Sequence, residues 1–291
     1  MKKVLFINYS QTGQLHQIME NLIQGMQGIE SDRVKIEMKT PFSFPWTGKR
    51  FFDAMPESVL EIPSEINDLK LNHSQYDLIV LGYQPWFLSP SIPANSLLNN
   101  NVFGEIIKDT PVVTVIGSRN MWISSQESIK DKIANLGGNL VGNIPFIDRN
   151  NNYLSAVSIL HWMLKGEKTK PYGIFPKPGI SDKDIESAVQ AGEILSENLA
   201  KNNLSKLQEK FIEQGFVKVK TSIMFVESRA KLLFKAWANA IIKKGTTLSK
   251  REKYLVFFKY YLLIALFVIA PIVLVVYLVL ISPFTRGSIN R

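Results

Sequence analysis

Lys2-Lys3-Val4-Leu5-Phe6-Ile7-Asn8-Tyr9-Ser10-Gln11-Thr12-Gly13-Gln14 reads as a strand, a short polar loop and the start of a helix. Val4 to Ile7 is a continuous apolar run, the mark of a strand buried on both faces of a parallel sheet. Ser10 and Thr12 supply hydroxyls and Gly13 a permissive backbone. Leu15, Ile18, Met19, Leu22 and Ile23 then fall at helical spacing. A turn of this kind aims free backbone N–H groups and the positive end of a helix dipole at one spot, which suits a phosphate. The same residue types also serve simply to cap and turn, so both readings stand for the loop taken alone. It has neither the longer spacing and lysine of an ATP-type P-loop nor the GxGxxG of a dinucleotide turn.

Outward from this stretch the pattern repeats. Val34–Met38 alternates as a second strand, Tyr76–Leu81 is a third, Pro111–Ile116 a fourth and Asn139–Ile147 a fifth. Helices are predicted over about 124–136, 153–165 and 182–201, the first closed by Gly137-Gly138 and the last capped by Ser181. Five strands alternating with helices predict an α/β fold with a doubly wound five-stranded parallel sheet. The segment 40–63, with Pro-Phe-Ser-Phe-Pro-Trp at 41–46, is too rich in proline and aromatics to predict a regular helix. It reads either as an aromatic loop packed on the body or as a lid whose wall is Phe42, Phe44, Trp46, Phe51 and Phe52.

Composition excludes several chemistries. The 291 residues contain no cysteine, which removes disulfides, thiolate catalysis and thiolate metal sites. His16, His73 and His161 show no metal-ligand spacing, and no metal is expected. Lys2-Lys3 leads into too short an apolar run for a signal peptide. The net charge of +9 is unevenly spread: residues 1–200 carry 18 Lys/Arg against 21 Asp/Glu, whereas 201–259 carry 14 against 4. Nucleic acid is therefore not an expected partner of the body.

Ligands of doubly wound sheets bind at the carboxyl ends of the strands. Three loops leave those ends: 9–14, 82–93 and 117–122. The first offers Ser10, Gln11, Thr12, Gly13 and Gln14 to a phosphate. The second and third offer Tyr83, Gln84, Pro85, Trp86, Phe87, Gly117, Ser118, Asn120 and Trp122 to flank or hydrogen-bond a flat ring. A phosphate at one end and a flat ring at the other describe FMN. Trp86 and Trp122 read equally as core residues. Arg119 reads as a surface ion-pair partner or, beside the ring, as a group stabilising negative charge on reduced flavin or an enolate.

The first loop resembles the flavodoxin phosphate loop, roughly Thr/Ser-x-Thr-Gly-x-Thr. Ser10, Thr12 and Gly13 match, while Leu15 stands where another hydroxyl is usual. Gln84-Pro85-Trp86-Phe87 is similar to the ring-binding loop of flavodoxin-like quinone reductases. Tyr-Ser-Gln-Thr-Gly-Gln (9–14), Phe-Pro-Trp-Thr (44–47), Pro-Glu-Ser-Val-Leu (56–60), Gly-Tyr-Gln-Pro-Trp (82–86) and Gly-Ser-Arg-Asn-Met-Trp (117–122) together resemble the DarA-type dialkylresorcinol condensing enzymes. The resemblance implies a flavodoxin-like domain that works beside a ketosynthase and aromatises a dialkyl cyclohexanedione to a resorcinol. Tyr83 and Arg119 are then the catalytic candidates for polarising the diketone. An NAD(P)H:quinone reductase and a non-catalytic partner of the ketosynthase are the alternatives. The quinone reductase likeness leaves a homodimer open.

Behind the expected flavin domain (1–203), residues 204–259 read as a basic amphipathic segment. Ile223, Val226, Leu233, Trp237, Ala240 and Ile241 lie at helical spacing among Arg229, Lys231, Lys235, Lys243 and Lys244. Such a helix lies on an anionic membrane surface or packs on the body. Tyr260–Ile281 holds no charged residue over 22 positions, enough at about 1.5 Å per residue to cross a hydrocarbon core of about 30 Å. A transmembrane helix over 260–282 and a short tail 283–291 are expected, with Pro271 a kink or a re-entrant turn. Lys250, Arg251, Lys253 and Lys259 precede the span, which predicts a C-terminal anchor with the body on the cytoplasmic face of the inner membrane. A membrane and a lipid-like small-molecule substrate are the expected partners.

Overall fold

The computed structural model describes residues 1–276. The main sheet is built from β1 (Lys2–Asn8), β2 (Ile29–Lys35), β3 (Leu78–Tyr83), β6 (Pro111–Ser118) and β7 (Asn139–Ile147). All pairs are parallel and the order is β2-β1-β3-β6-β7. The five-stranded doubly wound sheet expected from the sequence is therefore observed. Every residue of β3 is buried, as its apolar run requires. The register Val4↔Leu78 and Ile79↔Val112 brings β1, β3 and β6 to a common carboxyl edge.

Two apolar layers cover the sheet. One face packs against α1 (Gln14–Gly25), α8 (Asp182–Glu186), α9 (Ala188–Ala200) and α10 (Leu207–Glu213). The other packs against α4 (Ile92–Leu98), α5 (Asn101–Ile107) and α6 (Ile123–Asn135). Leu207 and Phe211 of α10 are fully buried in the first layer, so the core continues past residue 203. The second strand begins earlier than its alternation suggested, and Met38 makes only an isolated bridge with Ile66. The long helix expected over 182–201 is broken at Ser187, whose hydroxyl donates to the Asp184 carbonyl at 2.7 Å.

The 40–63 segment corrects the expectation of irregular backbone. It contains α2 (Gly48–Asp53), capped by the Thr47 hydroxyl, and α3 (Met55–Val59), with Pro56 in its first turn, where a proline costs no hydrogen bond. The second loop is a tight hairpin of β4 (Pro85–Trp86) and β5 (Ser89–Pro90). Phe87 and Leu88 form its tip at φ 48° and 65°, a conformation bulky residues rarely adopt. They are held there by an apolar cluster with Phe234 and Phe258.

Phe234 belongs to α11 (Thr221–Lys244) and Phe258 to α12 (Leu248–Ile264). Helix α11 buries Glu227, Phe234, Ala238 and Ile241, a seven-residue periodicity, against the body. Its packing face is thus turned to protein, and Leu232, Leu233 and Ile242 are the apolar residues it leaves exposed. Helix α12 passes through a π-helical turn, Ala265–Ile269, into α13 (Ala270–Val276). The wider turn lies beside Pro271, whose ring would clash with a regular i−4 carbonyl. Leu248–Val273 is long and apolar enough to cross a membrane, and its apolar side chains are largely exposed. The last residues of the expected span and the tail lie outside the described residues.

Helices α1 and α9 touch backbone to backbone. A Cβ on Gly25 would stand 1.9 Å from the Val189 carbonyl oxygen, and one on Gly192 2.0 Å from that of Leu22. Alanine is the better helix former, but here it must push the helices apart. Gly192→Ala is expected to destabilise the protein by about 1–3 kcal/mol, the usual cost of overpacking, read as a lowered thermal midpoint of the detergent-solubilised chain.

Candidate functional site

The three strand-end loops meet at the carboxyl edge. In the first, Gly13 takes φ 85° at the head of α1, and a Cβ there would meet nothing within 4 Å. The Ser10 hydroxyl is buried and finds no hydrogen-bond partner among the described residues. Thr12 is half-buried beside it in sequence and Gly13 is exposed. Gln11 is engaged otherwise: its amide N–H donates to Gln84 Oε1 at 2.8 Å, and its Nε2 donates to the Ser43 and Phe42 carbonyls at 2.9 and 3.3 Å. One glutamine therefore ties the first loop to both the second loop and the 40–63 segment. Gln14 also turns away from the loop. Its side chain exchanges two hydrogen bonds with the Ile180 backbone, at 2.8 and 3.1 Å.

Trp86 sits among aromatic edges. Its ring lies 5.0 Å from Phe42, 5.1 Å from Trp46 and 6.0 Å from Tyr9, centroid to centroid. Pro85 pairs with Pro90 in the hairpin, and Phe87 reaches the C-terminal helices instead of the strand ends. The 40–63 segment is thus packed directly over the second loop, joined to α7 (Asn152–Lys165) by the Trp46 N–H donating to the Met163 carbonyl at 2.8 Å.

In the third loop, Ser118 Oγ and Asn120 Oδ1 are buried without partners among the described residues. Gly117 lies against Leu15, where a Cβ would make ordinary contact at 3.5 Å. Arg119 donates to the Asn152 carbonyl and Oδ1 at 2.7 and 2.8 Å, and Asn120 Nδ2 donates to the same Oδ1 at 2.6 Å. Burial pushes the Arg119 guanidinium down to about 10, opposed by the nearby Asp148 carboxylate, so it stays cationic at neutral pH. Asp148 itself accepts from Ser155 Oγ at 2.8 Å and from the Gly179 N–H at 3.2 Å.

Besides Gln14 and Phe87, two further sequence-predicted residues are not brought to the site. Tyr83 is fully buried on the α6 face of the sheet, where its hydroxyl donates to Gln126 Oε1 at 2.9 Å and burial raises its pKa. Side chains alternate along a strand, and this one points into the core instead of past the strand end. Trp122 likewise packs in the core under α6. Catalytic use of Tyr83 and ring-flanking by Trp122 are corrected accordingly.

Asn152, which fixes Arg119 and Asn120, was not singled out in the sequence. It stands in a run of three asparagines whose only sequence signal was that of a turn. Glu227 was also missed. It is 1 % exposed, and its Oε1 accepts from the Ser124 N–H at 2.7 Å, satisfying the first turn of α6 just behind the third loop. Lys231 donates to the Ser124 carbonyl at 3.0 Å. The clue was an acid seven residues before Phe234 on the buried stripe of an otherwise basic helix.

No protein-family model matches the chain, and no curated protein matches it. Among solved structures, the chain is similar to a flavoprotein in complex with FMN from Lactobacillus acidophilus NCFM, at 19% identity over 50% of this chain and 93% of that one, TM-score 0.42. It is also similar to a putative flavoprotein from Bacteroides eggerthii DSM 20697, at 20% identity over 57% and 99% of the two chains, TM-score 0.42. A flavodoxin from the domain Archaea aligns at 11% identity over 68% and 99%, TM-score 0.38. The deciding observation is the strand order, 2-1-3 followed by two further parallel strands, which is that of flavodoxin. The fold is flavodoxin-like. In this order the ligand crevice lies at the switch point between β1 and β3, where the first and second loops emerge.

Burial raises the Glu227 pKa above the ordinary carboxylate range, against the Ser124 hydrogen bonds and the Lys231 charge that lower it. A raised folded-state pKa contributes stability that is complete below the unfolded value, about 4.3, and is lost as pH rises through the folded value. Glu227→Gln keeps an acceptor for Ser124 without the charge. Thermal melts across this range are expected to show the wild type losing stability with rising pH and the variant lacking that component.

Proposed function

We propose that this is an FMN-dependent oxidoreductase, held at a membrane by α12 and α13, that oxidises a dialkyl cyclohexanedione to a dialkylresorcinol beside a ketosynthase. The observation that carries the flavin reading is that Ser10 Oγ, Ser118 Oγ and Asn120 Oδ1, three of the ten buried polar side-chain atoms without partners among the described residues, lie on loops at the carboxyl edge of a flavodoxin-like sheet. Buried polar atoms in native proteins are normally paired, so such a set is what a polar ligand would complete. Ser10, Thr12 and Gly13 would take the phosphate, helped by the open space at Gly13 and the N-terminus of α1. Ser118 and Asn120 would hydrogen-bond the ring edge. Gln11, Gln14 and Gln84 serve by fixing the loops and do not themselves act as side-chain ligands.

FMN bound there would supply two-electron chemistry suited to removing a hydride from the ring. The chain's own part is positioning and electrostatics. Arg119 is held by Asn152 at two points and is poorly solvated, so its charge is strong where a diketone oxygen gains negative charge as the ring enolises. Phe42, Trp46 and Trp86 close the second loop against water. The motif resemblance, covering loops one to three and the 40–63 segment, supports the dione substrate and the ketosynthase. The exposed apolar α12–α13 supports a substrate dissolved in lipid.

The purified full chain in detergent is expected to retain FMN near one per chain, and Gly13→Val, strained at φ 85°, to weaken it by about tenfold or more. Arg119→Met is expected to keep the flavin while slowing oxidation of a 2,5-dialkylcyclohexane-1,3-dione by about 10²–10³-fold, the usual cost of losing a charge-stabilising donor. Rapid flavin reduction by NAD(P)H with an inert dione would replace this reading with the quinone reductase, and a folded chain that retains no FMN would sink both.

A further inference from the structure

A groove of about 330 Å³ runs between α2 and α12. Its α12 wall is Glu252, Leu255, Val256 and Lys259, one helical face by their i, i+3, i+4, i+7 spacing, and opposite stand Lys49 and Phe52. The body of the groove is apolar and the charges lie at its rim. Lys49 pairs with Glu252 across it, and Lys259 sits over the Tyr260 ring at 5.8 Å. The helix wall is fixed, because Arg251 is clamped to Asp53 Oδ1 at 2.6 Å and to Glu57 Oε2 at 2.8 Å.

Two features say what fits there. Lys259 is the last charge before the uncharged run that begins at Tyr260, so the groove opens where α12 would leave the aqueous boundary and enter hydrocarbon. A bilayer-dissolved molecule reaches it without crossing water. Inward, Phe52 starts an unbroken row of ring contacts: Phe52–Phe51 at 5.2 Å, Phe51–Trp46 at 5.9 Å, Trp46–Trp86 at 5.1 Å and Trp86–Tyr9 at 6.0 Å. Tyr9 precedes Ser10. The row, three of whose rings belong to the 40–63 segment, therefore joins the groove to the strand-end loops through packed aromatic side chains.

We propose that the α2–α12 groove is the alkyl-tail site of the substrate: it holds one chain of a bilayer-dissolved amphiphile at the outer end of the aromatic row that packs back to the strand-end loops. This rests on the reading that the substrate is lipid-like, but it is testable apart from the flavin. A chain lying on Phe52, Leu255 and Val256 is removed from water without a buried polar group left unpaired.

The test uses the full chain in phosphatidylcholine nanodiscs and two photoreactive probes, a long-chain alkyl cyclohexane-1,3-dione and a phosphatidylcholine, each with a diazirine in the chain. The dione probe is expected to label Phe52 and Val256, and the phospholipid probe the exposed Phe267 and Ile272. Val256 is half exposed, so Val256→Trp fills the groove without disturbing the core, and it should cut dione labelling there by about tenfold. Flavin absorbance of both proteins is recorded alongside and is expected to be equal. Phospholipid labelling of the groove, identical patterns for the two probes, or labelling unchanged by Val256→Trp would each overturn the proposal. Loss of flavin from the wild type with groove labelling intact would instead reject the flavin reading and leave the tail site standing.

Discussion

Burial of β1 and β3 on both faces is the constraint from which the rest follows. A parallel strand covered on both sides needs crossover helices, and right-handed crossovers place every strand-to-helix turn at one edge. The apolar runs at Val4–Ile7 and Leu78–Leu81 impose this, and with them the meeting of Ser10, Gln84 and Asn120 at one end of the sheet. The site is a consequence of core packing before any functional residue is considered. The close seating of α1 on α9, allowed by Gly25 and Gly192, then fixes the helix whose N-terminus faces the first loop.

The C-terminal helices are part of the packing of the body. Helix α11 satisfies the first turn of α6 through Glu227, and α12 clamps the 40–63 segment through Arg251. Phe234 and Phe258 hold the hairpin tip, Phe87 and Leu88, in a conformation that costs energy. Each of the two outer pieces of the site, the hairpin and the 40–63 segment, is thus braced by the helices that carry the membrane-span candidate. Where α12 sits is coupled by direct contact to how the aromatic cover closes.

The same contacts explain which expectations needed revision. Phe42, Phe44, Trp46, Phe51 and Phe52 read as a packed aromatic loop or the wall of a lid, and in the structure Phe42, Phe44 and Phe51 pack with the buried Trp46 against Trp86 while Phe52 joins the C-terminal helices. Tyr83 faces the core because one residue of strand register decides which side of a sheet a side chain takes, and Trp122 packs there as the residue that opens α6. The basic amphipathic segment left open a membrane surface or the body, and its stripe of Phe234, Ala238 and Ile241 packs on the body, because Met55, Val59 and the hairpin tip offer a complementary surface that no local pattern reveals.

By itself the sequence determined the sheet, the helices after the first and fourth strands, the three candidate loops and the long apolar C-terminal run. All of these are written in the periodicity and composition of contiguous segments, and short-range physics suffices to read them. Only the tertiary structure decided which loop atoms stay unpartnered and which glutamines act as braces. It likewise decided that Asn152 holds Arg119, and that Glu227 reaches Ser124 from 103 positions away. Those are pairings between distant parts of the chain. Their partners are selected by packing geometry after the sheet has formed, and no local pattern encodes them.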